Sequence, residues 1–308
     1  MKIFIPMAGK GTRLRPFTLT CPKPLINVLD KPIVEHLIDQ ITSKVKSNID
    51  EIVYILGDES YFNAEVVNSL NIISEKYNAK TKIYRQLEQL GTGHAIMCAE
   101  ESLSGPSIIA YADTMIQGNI EIDTQVDGIM WVKKVDNPSA YGVVNLDNEN
   151  KIIELIEKPA EFISDLAVVG IYYFKEAANL RGYLRKHLSE KLSPGKEYLL
   201  NYGIEKMIKN GKSFIPKEID IWMDCGTPEL LLNSTKIIMD TYHDHVEENK
   251  VFDKQVIIKP PVFIGKNVKI QNSSIGPYVS IGDNSKIENT KINNCLLYTS
   301  DAADEGLV

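Results

Sequence analysis

The stretch Ile5-Pro6-Met7-Ala8-Gly9-Lys10-Gly11-Thr12-Arg13-Leu14-Arg15-Pro16, followed closely by Cys21-Pro22-Lys23-Pro24-Leu25, decides the reading of this chain. The apolar run Ile3 to Ile5 reads as a short buried strand that opens directly into a glycine-bearing loop. Such a loop leaves backbone N–H groups to meet phosphate oxygens, and Arg13 and Lys23 supply positive charge. The spacing fits neither the Walker pattern nor the dinucleotide fingerprint. Working outward, strand-like and helical runs alternate: Lys2 to Pro6, a helix near Ile33 to Ser43, Glu51 to Leu56, a helix near Tyr61 to Tyr77, Thr81 to Tyr84, a helix near Gly93 to Ser102, and Ser107 to Ala112. That order implies a doubly wound, mainly parallel α/β sheet, which takes its ligands at the carboxyl ends of its strands. The loop after the first strand and Asp113 after the fourth then share one edge. From Gly128 to Phe174 the pattern turns strand-rich, and these strands are expected to cover the open side of the pocket.

The chain has 308 residues, of which 44% are hydrophobic, enough to bury a large domain and a smaller one. A net charge of −7 argues against nonspecific nucleic-acid binding and leaves room for a local basic pocket that holds a small anion. The apolar run Leu166 to Phe174 is far too short to span a membrane, and the N-terminus enters a strand without a signal-like apolar segment. A cytoplasmic protein with small-molecule partners is expected. Cys21, Cys98, Cys225 and Cys295 have no C-x-x-C spacing and read as free thiols.

Beyond Val256 a second pattern appears. Ile264/Ile281, Ile270/Ile287, Ile275/Ile292, Val262/Val279, Gly265/Gly282, Asn267/Asn284 and Asn272/Asn289 are each 17 residues apart. A coil of that length stacks like residues over like, the signature of a hexapeptide-repeat, left-handed β-helix, here short and truncated at about two coils. The period fails after Asn294: Cys295 to Glu305 carries neither the repeat nor a cap, and it resembles translated library-adaptor sequence. The expected organisation is a catalytic domain over 1–228, a linker helix over 229–250 opened by Thr227-Pro228-Glu229, the β-helix over 251–294, and a non-native tail over 295–308. Homo-oligomerisation through the β-helix is expected.

The opening signature, together with Gln86-Leu87-Glu88-Gln89-Leu90-Gly91-Thr92, Glu157-Lys158-Pro159 and Trp222-Met223-Asp224-Cys225-Gly226-Thr227, resembles the sugar-1-phosphate nucleotidyltransferases. Lys10 stands where that family has a glycine. The resemblance implies that Ala8, Gly9, Gly11, Thr12, Gln86, Gly91 and Thr92 bind the nucleotide, with Gln86 reading a pyrimidine edge. It also implies that Arg13 and Lys23 meet the triphosphate, that Asp113 and Asp224 hold Mg²⁺, and that Tyr141, Gly142, Glu157, Lys158 and Gly170 line the sugar-phosphate end. His94, at a helix start, reads more simply as a packing residue. Asn201-Tyr202 departs from the threonine-aspartate usual in the family and puts sugar selection in question. The implied substrates are dTTP or UTP with glucose 1-phosphate. The alternatives are GTP with mannose 1-phosphate, a catalytically silent nucleotide-binding regulatory subunit, and a bifunctional enzyme whose β-helix transfers acyl groups. Two coils without a histidine between Val256 and Asn294 do not supply an acyl-transfer site.

Overall fold

Why the first strand anchors the molecule is visible in its burial. Ile3, Phe4 and Ile5 are wholly inaccessible, as are Ile108, Ile109 and Ala110 of its neighbour, the continuous apolar run of a strand covered on both faces. The computed structural model describes residues 1–45, 47–118, 120–241 and 255–297. Two compact units divide the chain: Met1–Lys10 with Leu37–Trp222, and Gly11–His36 with Met223–Val308.

In the first unit Lys80–Arg85, Glu51–Leu56, Lys2–Pro6, Ser107–Ala110, Leu166–Phe174, Gly142–Leu146 and Ile152–Glu157 lie side by side. The first four are parallel, with Lys2 opposite both Glu51 and Ser107. Strand order therefore reverses between Lys2–Pro6 and Ser107–Ala110, which opens a crevice beyond their carboxyl ends. Helix positions follow the sequence reading, with ends set by local chemistry. Ala64–Glu75 starts where the Asn63 side chain accepts from the N–H groups of Glu65 and Val66, both at 3.1 Å.

The strands after Gly128, expected to cover the pocket, extend the same sheet. Leu166–Phe174 runs antiparallel to Ser107–Ala110, and Gly128–Lys134 pairs with it in turn and with Phe214–Glu218. The physical reason is that the Ser107 strand presents unpaired backbone groups on its outer side, and a nine-residue, almost wholly buried strand satisfies them. Between Val168 and Tyr172 the register shifts, because Gly170 takes φ +84° and bulges the strand.

The second unit carries the helix Pro228–Thr241 and three stacks of short parallel strands. Val262 lies opposite Val279, Lys269 opposite Lys286 and Ser274 opposite Lys291, the 17-residue step of the sequence. Val262, Ile264, Ile270, Ile275, Val279, Ile281 and Ile287 fill its interior. Asparagine rather than glycine turns the corners. Asn267, Asn284, Asn272 and Asn289 all adopt positive φ, and their amides bond up the ladder at 3.2 Å and 2.8 Å. Cys295–Leu297 forms a further strand against Val279–Ile281, with a step of 16 instead of 17. Thr299, 17 residues beyond Gly282, lies outside the described residues, as do 242–250 of the expected linker helix and 251–254 of the expected β-helix. Among the described residues no helix is long and apolar enough to cross a membrane.

A Cβ placed on Gly128 would stand 2.1 Å from the Phe214 ring. Gly128→Ala is expected to overpack the sheet by about 1–3 kcal/mol and lower Tm, with Phe214→Leu in the same chain recovering most of the loss in a thermal melt.

Candidate functional site

Three loops of the first unit leave the sheet on the crevice edge. Met7, Ala8 and Gly9 follow the first strand, Gln86 to Thr92 follow the third, and Tyr111 to Asp113 follow the fourth. Met7 N–H still donates to Ile55 O and Gln86 N–H to Leu56 O, so each loop departs from a fixed point. At Gly9 nothing would lie within 4 Å of an added Cβ. Internal packing gives no reason for glycine there, and a ligand approaching the backbone does. Gln89 Nε2 donates to Ala8 O at 3.3 Å and ties the first loop to the second. Asp113 occupies a tight turn in which Thr114 N–H reaches back to Tyr111 O.

The second loop is clamped from behind. Tyr198 N–H donates to Leu90 O at 2.8 Å, and Tyr198 O accepts from Gly93 N–H at 2.7 Å. Gly91 sits at φ +115°, where a Cβ would collide with Tyr198 backbone atoms at 2.7 and 2.8 Å. Gln86 is 4% exposed. Its Nε2 is 3.1 Å from Gly91 O and 3.1 Å from His94 Nδ1, which commits both amide protons within the protein. An amide nitrogen only donates, so His94 Nδ1 accepts and the ring is neutral with its proton on Nε2. Burial pushes the His94 pKa down and favours that form, against the opposing charge of Glu88. Gln86 Oε1 makes no hydrogen bond among the described residues, and this acceptor suits a base that presents a ring N–H. His94 is thus part of the loop's hydrogen bonding, a role that its position in the sequence did not reveal.

A third group gathers around Glu157. Gly142 lies opposite it in an antiparallel hairpin, and Lys158 N–H donates to Tyr141 O at 3.0 Å. Lys158 has φ +46°, a left-handed backbone that costs a non-glycine residue roughly 1 kcal/mol or more and that concentrates at functional positions. A Cβ on Gly142 would meet Glu157 Oε2 at 3.1 Å and Asn201 Nδ2 at 3.5 Å, so those two groups converge on its backbone. The Tyr141 ring lies 4.9 Å from Trp222 at 61°, and Trp222 Nε1 is buried with no partner among the described residues. Gly170 has a packing reason for its identity, since a Cβ there would stand 2.6 Å from the Tyr111 ring. Burial raises the Tyr111 pKa to about 12. The two residues that depart from the family pattern separate: Asn201 faces Glu157, whereas the Tyr202 ring stacks on His187 at 3.7 Å and 10°.

The remaining candidates belong to the second unit. Gly11 takes φ +61°, and its carbonyl accepts from Leu14 N–H and from the Thr18 hydroxyl. A Cβ at Gly11 would crowd Thr18 and Lys23 at 3.0 Å each, so glycine is required. Thr12 and Arg13, in the one-turn helix that follows, are exposed, whereas Lys23 is 8% exposed. Asp224 Oδ1 accepts from Gly226 N–H at 2.7 Å, and its carbonyl accepts from the Ser234 hydroxyl. Asp113 in the first unit and Asp224 in the second each carry the hard carboxylate oxygens that Mg²⁺ takes. Among the described residues no cluster of three or more His, Cys, Asp or Glu exists, so water and substrate phosphate would have to complete the shell of an ion held at either.

A strand-order reversal with a glycine loop and an acidic turn at its carboxyl edge is the arrangement of a ligand-binding, doubly wound α/β protein. The sequence matches the Nucleotidyl transferase family over residues 4–241, and the chain belongs to that family. It is 31% identical over 274 residues to the bifunctional protein GlmU of Methanococcus maripaludis, covering 84% of this chain and 62% of that protein. It is 27% identical over 289 residues to a glucose-1-phosphate thymidylyltransferase of Streptomyces antibioticus, covering 90% and 77%. The fold matches a crystal structure of UDP-glucose pyrophosphorylase complexed with UDP-glucose at TM-score 0.63, with 22% identity over 78% of this chain and 99% of that one. The chain thus spans less than two thirds of its GlmU relative.

The His94 arrangement has a pH signature. The unfolded ring takes up a proton at its usual 6.5, while the folded ring resists until lower pH, so stability is lost as pH falls from 6.5 through the folded value. His94→Gln keeps an acceptor for Gln86 without titrating. The wild-type Tm is expected to fall about 1–3 °C further than the variant's between pH 7 and pH 5; parallel curves would show that the ring is not held neutral.

Proposed function

We propose that this chain transfers a nucleotidyl group from dTTP or UTP to a sugar 1-phosphate, first of all glucose 1-phosphate, and releases pyrophosphate. The observation that carries the reading is the crevice edge, where the Ala8-Gly9 loop and the Gln86–Thr92 loop leave the sheet beside Asp113. On this reading a sugar-phosphate oxygen bonds to the α-phosphorus, the bond from that phosphorus to the β-bridging oxygen breaks, and the electron pair leaves with pyrophosphate. The attacking oxygen is already ionised, so no proton has to be removed and no side-chain nucleophile is needed.

The difficulty is repulsion. Two like charges about 4 Å apart cost about 4 kcal/mol at an effective dielectric of 20, and a triphosphate of about −4 meets a phosphate of about −2. Arg13 and Lys23 take the triphosphate, Lys158 takes the sugar phosphate, and Glu157 accepts from sugar hydroxyls. Asp113 and Asp224 would hold Mg²⁺, which when bound offsets charge on the phosphates. Ala8, Gly9, Gly11 and Thr12 offer backbone to the phosphates, Gly91 and Thr92 flank the base, and Tyr141, Gly142 and Gly170 shape the sugar end. Orientation and charge stabilisation then supply the rate enhancement.

Gln86 Oε1 favours bases with a ring N–H, namely thymine, uracil and guanine, over adenine and cytosine. That acceptor also keeps mannose 1-phosphate with GTP as the second reading. The test is pyrophosphate release with each common triphosphate against a panel of sugar 1-phosphates in Mg²⁺. Asp113→Ala and Asp224→Ala are each expected to lower turnover about 10²- to 10⁴-fold, about 3–5 kcal/mol of transition-state stabilisation. Lys158→Ala should raise KM for the sugar phosphate and Arg13→Ala should raise it for the triphosphate. No pyrophosphate from any pairing, or near-normal turnover in both aspartate variants, would overturn the proposal.

A further inference from the structure

Behind Glu157 stand two side chains whose hydrogen-bonding protons can be counted, Tyr172 and Asn201. The Tyr172 hydroxyl donates to Asn201 Oδ1 at 3.4 Å, and Asn201 Nδ2 donates to Glu157 Oε2 at 2.9 Å. Each hydroxyl has one proton to give. Because Asn201 Oδ1 can only accept, the Tyr172 proton goes to it, and the Asn201 nitrogen in turn gives a proton to the carboxylate.

The carboxylate decides which way the Asn201 amide faces: Glu157 Oε2 can only accept, so it takes the amide nitrogen and leaves Oδ1 towards Tyr172. Were the amide reversed, its oxygen would confront the carboxylate and the bond to Glu157 would be lost. The Tyr172 ring is held by edge-to-face packing on Tyr111 with centroids 5.9 Å apart, and both phenols are kept protonated by burial. Glu157 Oε1 makes no hydrogen bond among the described residues.

We propose that Asn201 is a positioning residue for the sugar end of the site: its amide fills Glu157 Oε2 and leaves Oε1 as the acceptor aimed at a sugar hydroxyl. The assignment rests on the reading of Glu157 as a sugar ligand. The hydroxyl of the threonine usual in the family both accepts and donates through one atom, whereas in Asn201 the oxygen can only accept and the nitrogen can only donate, which fixes the direction towards Glu157.

The experiment is a donor-acceptor exchange. Asn201→Asp keeps the size and the acceptor for Tyr172 but sets a carboxylate against Glu157, so one of the pair takes up a proton only as pH falls. At pH 8 it is expected to raise KM for glucose 1-phosphate about 10- to 100-fold, with KM for the triphosphate within about twofold of wild type. The ratio of variant to wild-type KM should shrink towards pH 6, Lys158 being common to both proteins. Glu157→Gln alone turns a donor towards the sugar and should also raise this KM. Combining Glu157→Gln with Asn201→Asp restores one donor facing one acceptor, the introduced amide now donating to the introduced carboxylate, and should recover most of the loss. Tyr172→Phe, which leaves Asn201 Oδ1 without its donor, should raise the same KM about 3- to 10-fold. An Asn201→Asp chain with unchanged sugar-phosphate KM, equal loss for both substrates, or a double variant worse than either single would overturn the inference while the wild type stays active. A wild-type chain that neither releases pyrophosphate nor binds a sugar 1-phosphate in calorimetry would sink the activity reading and this inference with it.

Discussion

The pairing of Lys2–Phe4 with Ser107–Ile109 is the constraint on which the first unit depends. It joins the first strand to the fourth and so forces the chain order to reverse at that point. Both strands are buried on both faces, so a slip by one residue would leave backbone groups unpaired in the interior, where no water replaces them. The loops that leave their carboxyl ends therefore start from fixed positions, and so does the Leu166–Phe174 strand, which caps the other side of Ser107–Ala110. With Gly170 bulged towards the crevice edge and bonded through its carbonyl to Tyr111 N–H, even the irregular part of that strand is held by the same pair.

On this frame the site is built less by side chains reaching outward than by distant backbone segments fixing one another. Tyr198, more than a hundred residues from Leu90 and Gly93, meets both with backbone hydrogen bonds. Glycine at 91 is the condition for that approach, because it adopts φ +115° without steric cost and has no Cβ to meet the Tyr198 backbone. The Thr92 hydroxyl serves the same clamp from the other side by accepting from Leu200 N–H. The loop read as base-binding is thus anchored to the start of the helix Leu200–Lys209, which also carries Asn201 to Glu157. Substitutions in that helix have a route to both ends of the candidate site through hydrogen bonds already present.

Much of this was legible in the sequence, and for physical reasons. A fully buried strand writes a continuous apolar run, so Lys2–Pro6, Glu51–Leu56 and Leu166–Phe174 could be placed almost to the residue. A stacked coil writes a period, so the Ile pairs named the β-helix core, whereas the period alone did not say that asparagine turns its corners. Partner choice was not legible. Nothing local in Gly128–Phe174 distinguishes strands that cover a pocket from strands that extend a sheet, because the difference lies in which unpaired edge they meet. Nor did Gln86 disclose that its amide protons face inward, or His94 that it accepts one of them, since both facts depend on how a helix start folds back on a strand end. The last strand, Cys295–Leu297, lies just past the point where the period fails, because backbone pairing continues whether or not the side chains repeat.

The departure at Asn201-Tyr202 shows how two adjacent residues can change one stretch in two directions. Successive residues of a helix point roughly 100° apart, so a substitution pair at the start of Leu200–Lys209 cannot serve a single purpose. Tyr202 turns towards the neighbouring helix Ala177–Leu188, where it stacks on His187, reaches Glu190 through its hydroxyl at 3.3 Å and carries Lys206 over its ring at 5.1 Å. An aspartate in its place would offer none of that apolar contact. Asn201 turns towards the sheet, where a tyrosine hydroxyl and a carboxylate already wait with one donor and one acceptor between them. A side chain bearing both functions satisfies the two at once, and in asparagine each function sits on its own atom. Tyr202 thus alters how the helix packs while Asn201 alters which atoms of Glu157 remain to be used, which is why the loss of the usual motif leaves an ordered arrangement in its place.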